Sequence, residues 1–407
     1  MNKTLLPKLR FPEFQDEWEG YFGNQLFDPI SNKEHNSSLP VLAITQEHGA
    51  IPRDLIDYQV FVTDKSIASY KVVEVGDFII SLRSFQGGIE YSEYKGLCSP
   101  AYIILRKKNE LSEAYFKYFF KTERFIQQLQ KNLEGLRDGK MVSYEQFSEL
   151  LLPTPTTAEQ QKIADCLTSL DDLIAAQSQK VAALQAYKKG LMQNLFPAEG
   201  ASAPRLRFPE FQSAGEWEEK TLGDISTFSS GGTPSKDVPE YWNGTIPWIS
   251  ASSMYDTNIV NSELKITDVA VKNGAQIAKK GSLLILVRGS MLYKRVPMGI
   301  AAIDIAFNQD VKALKITQNV NVIYLLYQLL AFESRIPIHD TGIGAGKIDT
   351  DDLKRLTIHV ATLPEQQRIA ELLSVVDEEI IAQGEVLAAL KVHKQGLMQG
   401  LFPSGGG

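Results

Sequence analysis

Cysteine is almost missing from this chain. Two residues, Cys98 and Cys166, among 407 cannot build a disulfide framework and suit a reducing compartment. No apolar run approaches the ~18 residues of a membrane span. Met1 to Pro7 lack the apolar stretch of a secretory signal, so a cytoplasmic protein is expected. Net basic charge is also missing: 42 Lys and Arg stand against 49 Asp and Glu, which argues against nonspecific coating of nucleic acid. His35, His48, His339, His359 and His393 are scattered without ligand spacing or Cys pairs, and no metal site is expected. Gly342 to Lys347 mimics a phosphate loop, yet Thr341 replaces its first Gly and Ile348 follows the Lys in place of Ser or Thr. The acid pairs Asp171-Asp172 and Asp351-Asp352 fit a solvated helix surface and a helix start. No catalytic residue is assigned.

What the chain has in abundance is self-similarity. Glu159-Gln160-Gln161 returns as Glu365-Gln366-Gln367, and Gly190-Leu191-Met192-Gln193 as Gly396-Leu397-Met398-Gln399, at a constant offset of 206. Over 158–197 and 364–403, 21 of 40 positions are identical, which marks a repeated structural unit. Ile163, Leu167, Leu170, Ile174, Val181, Leu184 and Leu191 follow a 4-3-4-3 spacing, as do Ile369, Leu373, Val376, Ile380, Leu387, Leu390 and Leu397. Such a narrow seam seeks another helix. At about 1.5 Å per residue each copy makes a rod of about 57 Å. Thr156 with Glu159, and Thr362 with Glu365, have capping-box spacing. Gln177 and Gln383 interrupt the seam at equivalent positions and are expected to be a buried polar pair that fixes register. Gly190 and Gly396 each cost about 1 kcal/mol against Ala in a helix interior, pointing either to close approach by another helix or to a nearby helix end.

A second repeat opens each half: Pro7-Lys8-Leu9-Arg10-Phe11-Pro12-Glu13-Phe14-Gln15 recurs as Pro204-Arg205-Leu206-Arg207-Phe208-Pro209-Glu210-Phe211-Gln212, with Trp18 and Trp217 close behind. Ala198 to Ala203 is a small-residue linker. The intervening modules, about 20–155 and 217–360, have diverged. Gly76 to Arg83 still aligns with Gly281 to Arg288 as a turn and a buried strand ending at an arginine. Glu113 to Leu129 and Val322 to Arg335 read as helices whose aromatic stripes (Tyr115, Phe116, Phe119; Tyr324, Tyr327) belong to the core. The expected fold is α+β. Two modules, each a mostly antiparallel sheet plus helices, are separated by two long helices forming an antiparallel coiled coil, with an internal pseudo-two-fold. Along the chain this gives 1–155, the helix 156–197, 198–361, and the helix 362–403.

The alternation of variable modules with repeated Glu-Gln-Gln helices resembles the specificity subunit of type I restriction-modification enzymes. The Leu-Arg-Phe-Pro-Glu-Phe opener is similar to that family's module entry. Gly231-Gly232-Thr233-Pro234-Ser235-Lys236, followed by Trp242, Gly244 and Ile246-Pro247-Trp248-Ile249-Ser250, resembles a recurrent opening of its target recognition domains. The first module departs, with Phe27-Asp28-Pro29-Ile30 near that place. The resemblance implies a non-catalytic reader of a bipartite asymmetric DNA site. It also implies two modification subunits that methylate adenine at N6 with S-adenosylmethionine, and restriction subunits using ATP and Mg that join them; the chain itself would bind no cofactor. A self-sufficient DNA-modifying enzyme and a protein-only coiled-coil adaptor are the alternatives.

Base reading needs bidentate donors, and phosphate contact needs Lys, Arg and small hydroxyls. Acid-free runs supply cations at 269–303 and 94–109, though any charge run also suits a solvated surface. The candidate DNA contacts are Thr233, Ser235, Lys236, Arg288, Ser290, Tyr293, Lys294, Arg295 and Lys347 in the second module. In the first they are Arg83, Ser84, Gln86, Lys95 and Lys140. Gln161, Lys162, Lys188, Lys189, Arg368 and Lys394 are expected to face solvent on the rods and to contact the modification subunits.

Overall fold

The computed structural model describes residues 6–56, 67–108, 110–131, 142–342 and 344–403. Two helices of 39 residues dominate it, α6 (Thr157–Leu195) and α11 (Leu363–Leu401). The chain divides into two compact units, residues 1–178 with 385–407, and residues 179–384. Each unit therefore owns one half of each long helix.

The seam behaves as its spacing requires, since every seam position named above is buried or half-buried. In the first unit Ile163 and Leu167 share a core with Leu397, Met398, Leu401 and Phe402. In the second, Ile369, Leu373 and Val376 pack with Leu191, Met192, Leu195 and Phe196. In both, the start of one helix lies on the end of the other, which is antiparallel pairing. One expectation needs correction, and one pair of alternatives is decided. Gln177 and Gln383 are half-buried, not buried, and the Gln383 amide donates to Glu379 on its own helix at 2.9 Å. A Cβ at Gly190 or Gly396 would meet nothing within 4 Å, so close helix approach explains neither; both lie in the last two turns of their helices.

The first unit carries β1 (Glu19–Phe22), α1 (Gly23–Leu26), β2 (Phe27–Ile30), β3 (Leu42–Thr45), β4 (Gly49–Pro52), β5 (Lys71–Val73), β6 (Phe78–Ile80), α2 (Ser84–Gly87), β7 (Glu90–Tyr91), β8 (Gly96–Cys98), β9 (Ile103–Lys107), α3 (Glu113–Phe119), α4 (Glu123–Lys131), α5 (Tyr144–Ser148) and β10 (Leu151–Thr154). Its main sheet runs β2-β9-β6-β7, all antiparallel.

The second unit carries β11 (Glu218–Thr221), α7 (Leu222–Ile225), β12 (Ser226–Ser230), β13 (Trp242–Ile249), β14 (Asn258–Ile259), β15 (Lys265–Ile266), α8 (Asp268–Lys272), β16 (Ile277–Ala278), β17 (Leu283–Leu286), β18 (Arg288–Gly289), β19 (Met298–Ala301), β20 (Ile305–Phe307), β21 (Val311–Ile316), α9 (Val322–Ala331), β22 (His339–Asp340), β23 (Gly346–Lys347), α10 (Thr350–Arg355) and β24 (Thr357–Val360). Its sheets run β12-β21-β17-β19-β14, β15-β13-β20-β16 and β18-β23-β22. Pairing is mostly antiparallel; β13 with β20 and β14 with β19 are the parallel exceptions.

The aligned turn-and-strand segments are real equivalents. Gly76 (φ 95°) and Gly281 (φ 85°) take the positive φ that glycine tolerates, and β6 and β17 are buried throughout. The expected helix at 113–129 is two helices, broken between Phe119 and Glu123. Both aromatic stripes lie in the core.

The repeats explain one another. Glu159 and Glu365 do not complete capping boxes with their side chains. Each grips the arginine of an opening peptide instead. Arg10 Nε and Nη2 donate to Glu159 at 2.8 Å each, and Arg207 does the same to Glu365 at 2.7 and 2.8 Å. Both carboxylates are 1 % exposed, and the paired hydrogen bonds hold each guanidinium above its ordinary pKa. The next residue holds the module. Gln160 accepts from Ser112 N–H and donates to the Pro155 carbonyl; Gln366 accepts from Asn321 N–H and donates to that of Ala361. Ser112 and Asn321 are the N-caps of α3 and α9. Leu9 N–H then ties to Gly400 at the end of α11, and Leu206 N–H to Asn194 at the end of α6. The units share one plan with the long helices' roles exchanged, an internal pseudo-two-fold in construction.

Candidate nucleic-acid interface

In the second unit, β17 hands its buried run to β18, where Arg288 sits opposite Lys347 of β23. Arg288 is exposed and makes no ion pair among the described residues. Gly289 (φ 145°) then turns the chain into a short 3-10 segment, Ser290–Tyr293. The Tyr293 hydroxyl donates to Asp340 at 2.8 Å, and Arg295 donates to the carbonyls of Met254 and Tyr255. Lys347 pairs with Asp349 at 2.5 Å. Ser290 and Lys294 are exposed.

The glycine-rich segment is equally determined. A Cβ on Gly231 would stand 2.0 Å from the Phe307 carbonyl, and one on Gly244 would stand 2.2 Å from that of Ile266. Two indoles anchor the loop: Trp248 Nε1 donates to Gly232 O at 3.1 Å and Trp242 Nε1 to Ser235 O at 3.0 Å. Thr233 donates to Gln309 at 2.9 Å. Beside Gln309, the Asp310 carbonyl accepts from Val287 N–H at 2.7 Å, one residue before Arg288. The candidates of this module therefore lie on the β18–β23 pair and on loops beside it, with Ser235 and Lys236 exposed. Sequence reasoning missed Gln309, an exposed amide beside Thr233. Its signal was the polar Asn308-Gln309-Asp310 turn between two apolar strands.

The first unit is less concentrated. Arg83 and Gln86 are exposed at either end of α2. Ser84 is not available: it is 1 % exposed and its hydroxyl accepts from Ser81 N–H. Both arginines of the alignment lie beyond their buried strands, Arg83 just before α2 and Arg288 on β18. Lys95 pairs with Glu74 at 2.9 Å. Lys140 lies outside the described residues. Gln46, also missed, packs against Gly87 beside Gln86. Phe27–Ile30 does not stand for the glycine-rich loop. It follows a one-turn helix and pairs with β9 as Ser226–Ser230 follows α7 and pairs with β21, so Ser31-Asn32-Lys33-Glu34 takes the loop's place.

Of the residues expected to face solvent on the rods, Gln161, Lys162, Lys189 and Arg368 are exposed, although the Gln161 amide donates to Asp165. Lys162 pairs with Glu13 and lies over the Phe11 ring; Arg368 pairs with Glu210 and lies over Phe208. Lys188 and Lys394 are drawn inward, onto Asp377 and Asp171. Their carboxylate partners, on the facing helix, could not be seen from the seam pattern.

The phosphate-loop mimic ends on β23, which pairs antiparallel with β22, and among the described residues no helix starts at Lys347 to receive phosphate. Nearby, His339, Asp349 and Asp352 bring ligand atoms within 4.8 Å of one another, a grouping that the spacing of the histidines did not reveal. Lys347 and Arg355 already pair with those carboxylates, and His339 followed by Arg355 holds Asp352 below the usual carboxylate range. No helix among the described residues is long and apolar enough to cross a membrane.

Residues 29–186 and 214–391 match the sequence profile described as "Type I restriction modification DNA specificity domain". The chain is 38 % identical over 167 residues to the EcoR124I/EcoR124II specificity subunit of Escherichia coli, a match spanning 40 % of this chain and 41 % of that one. It is 23 % identical over 399 residues to the putative MjaX specificity subunit of Methanocaldococcus jannaschii, covering 92 % and 90 %. In fold it is similar to the type I S subunit from M. genitalium, with a TM-score of 0.55, 17 % identity and coverage of 98 % and 100 %. A chain from a type I restriction-modification assembly gives a TM-score of 0.59 at 17 % identity, covering 95 % and 97 %.

Proposed function

Since the chain belongs to the type I restriction-modification DNA specificity family, we propose that it reads a bipartite DNA site for a methyltransferase complex and catalyses nothing itself. Each unit reads one half-site. The paired helices set the number of unread bases between them and carry two modification subunits, which supply S-adenosylmethionine chemistry at adenine N6; restriction subunits using ATP and Mg complete a nuclease. The observation that carries this reading is the pairing of a duplicated scaffold with unlike polar loops. Identical Arg-Glu and Gln-cap clamps hold both modules, while the exposed groups differ: Thr233, Gln309 and Arg288 in one, Arg83, Gln86 and Gln46 in the other. Arginine and side-chain amides are the groups that bond base edges bidentately. Because the loops differ, the half-sites differ.

The modification subunits dock on outward positions left unpaired with the other helix, such as Gln161 and Lys189, and not through Lys188 or Lys394. Co-expression with a methyltransferase subunit, followed by mapping of methylated adenines, tests the reading. Methylation at two unlike half-sites with a constant gap is expected. A single contiguous motif, or methyl transfer by the purified chain alone, contradicts it.

A further inference from the structure

Tyr118 of α3 and Tyr327 of α9 each reach a carboxylate on a long helix. The Tyr118 hydroxyl donates to Asp171 at 2.8 Å and meets Thr168 at 3.2 Å. The Tyr327 hydroxyl donates to Asp377 at 2.7 Å, and Ser374 holds the repeat position of Thr168. Each carboxylate also receives an ammonium from the opposite helix. Lys394 of α11 pairs with Asp171, and Lys188 of α6 pairs with Asp377 at 2.6 Å. The same ammonium lies over the same tyrosine ring, 5.3 Å from the centroid in the first unit and 5.1 Å in the second. At one carboxylate in each unit, three elements meet: the module's helix and both long helices.

A seam of Leu, Ile and Val does not fix its own register. Sliding by a heptad, about 10.5 Å at ~1.5 Å per residue, still buries apolar side chains. Beside the opener ties of Arg10 to Glu159 and Leu9 to Gly400, the networks supply polar contacts that hold only in one register. Lys188 and Asp377 are 18 % and 23 % exposed, and Lys394 and Asp171 are 24 % and 36 % exposed; a slip would leave these partly desolvated charges without partners. A slip of one helical turn, about 5.4 Å, also exceeds the ~3.4 Å step between base pairs. Register error on the rods would therefore become spacer error on DNA.

Resting on the reading of one half-site per unit, we propose that the Tyr118–Asp171–Lys394 and Tyr327–Asp377–Lys188 networks determine spacer length, by pinning α6 against α11 and seating each module on the pair.

The test is methylation by the complex of chain and modification subunit on duplexes that carry the mapped half-sites at a series of spacer lengths. The parent complex prefers one length; a parent indifferent to length, or without two half-sites, overturns the half-site reading and this proposal with it. The doubly substituted Lys188→Met, Lys394→Met chain keeps its base preference at both half-sites but loses about tenfold in discrimination between neighbouring spacers, a change of ~1.4 kcal/mol. Exchanging the charges, Lys188→Asp with Asp377→Lys, restores part of that discrimination. Should the methionine variant not fold, Tyr118→Phe with Tyr327→Phe removes only the hydroxyls and loosens spacer choice to a smaller degree. Unchanged spacer choice in a folded variant overturns the proposal. So does an equal loss of methylation at every spacer, which would assign the lysines to docking.

Discussion

After its first long strand, the second unit runs through Gly231 to Lys236, a loop tied by two indoles and forced to glycine by a carbonyl 2.0 Å from where a Cβ would be. At the same place the first unit has Ser31-Asn32-Lys33-Glu34, without those ties. Beneath both, the contacts match almost atom for atom: Arg10 and Arg207 on buried glutamates, Gln160 and Gln366 on helix caps, Trp18 and Trp217 against Tyr115 and Tyr324. Duplication was kept where these side chains pack and pair beneath the modules. It was lost in the loops of the two modules. On the proposed function, that division separates the part that holds from the part that would read DNA.

The comparison breaks most visibly at the arginine clamps. Arg207→Ala leaves the buried Glu365 without its partner and should cost about 3 kcal/mol in the second unit. Hydrogen exchange at Leu206 N–H should quicken while Leu9 N–H keeps its protection; Arg10→Ala should do the reverse. Simultaneous loss at both amides would show that the clamps do not belong to separate units. A smaller effect, confined to recognition, is expected from Arg288→Ala: about 1–3 kcal/mol of specific binding, measured by titration of a duplex carrying the mapped site.

Next comes a pH difference. Tyr324 donates to the carbonyl of His359, where Tyr115 uses that of Pro153. Burial, ahead of the opposing pull of Glu219, lowers the His359 pKa from its ordinary 6.5. The unfolded chain then binds a proton more readily than the folded one. Stability is full above about pH 6.5 and falls as pH drops below it, by at most ~1.4 kcal/mol per pH unit. Acid titration of unfolding should show this loss in the second unit, and His359→Gln should remove it. The smallest effect is expected from Lys347→Ala, which should weaken binding to all duplexes alike and lower the salt slope by about 1, because Lys347 already shares its charge with Asp349.

The rods, the openers and the core stripes were legible because they obey local periodicities or simple repetition. Ile163 to Leu191 spells its seam in sequence, and Tyr115 and Tyr324 sit on helices with evident apolar faces. What stayed hidden depends on partners distant in sequence. Glu159 read as a capping residue because the Arg10 that claims it lies far earlier in the chain. Lys188 and Lys394 read as solvent-facing because the carboxylates that draw them inward are on the facing helix. Ser84 is the exception, read as a contact although the N–H that claims its hydroxyl belongs to Ser81, only three residues earlier. Spacing alone could not gather His339, Asp349 and Asp352, which a hairpin brings to the start of α10.

The most direct test of two unlike readers on one repeated scaffold is sequencing of the random duplexes retained by the complex of this chain with its modification subunits, for the parent and for Arg288→Ala. The account predicts two different half-sites at a constant gap, with the substitution relaxing bases in one half and leaving the other and the gap untouched. A single uninterrupted motif, or relaxation of both halves together, would contradict it.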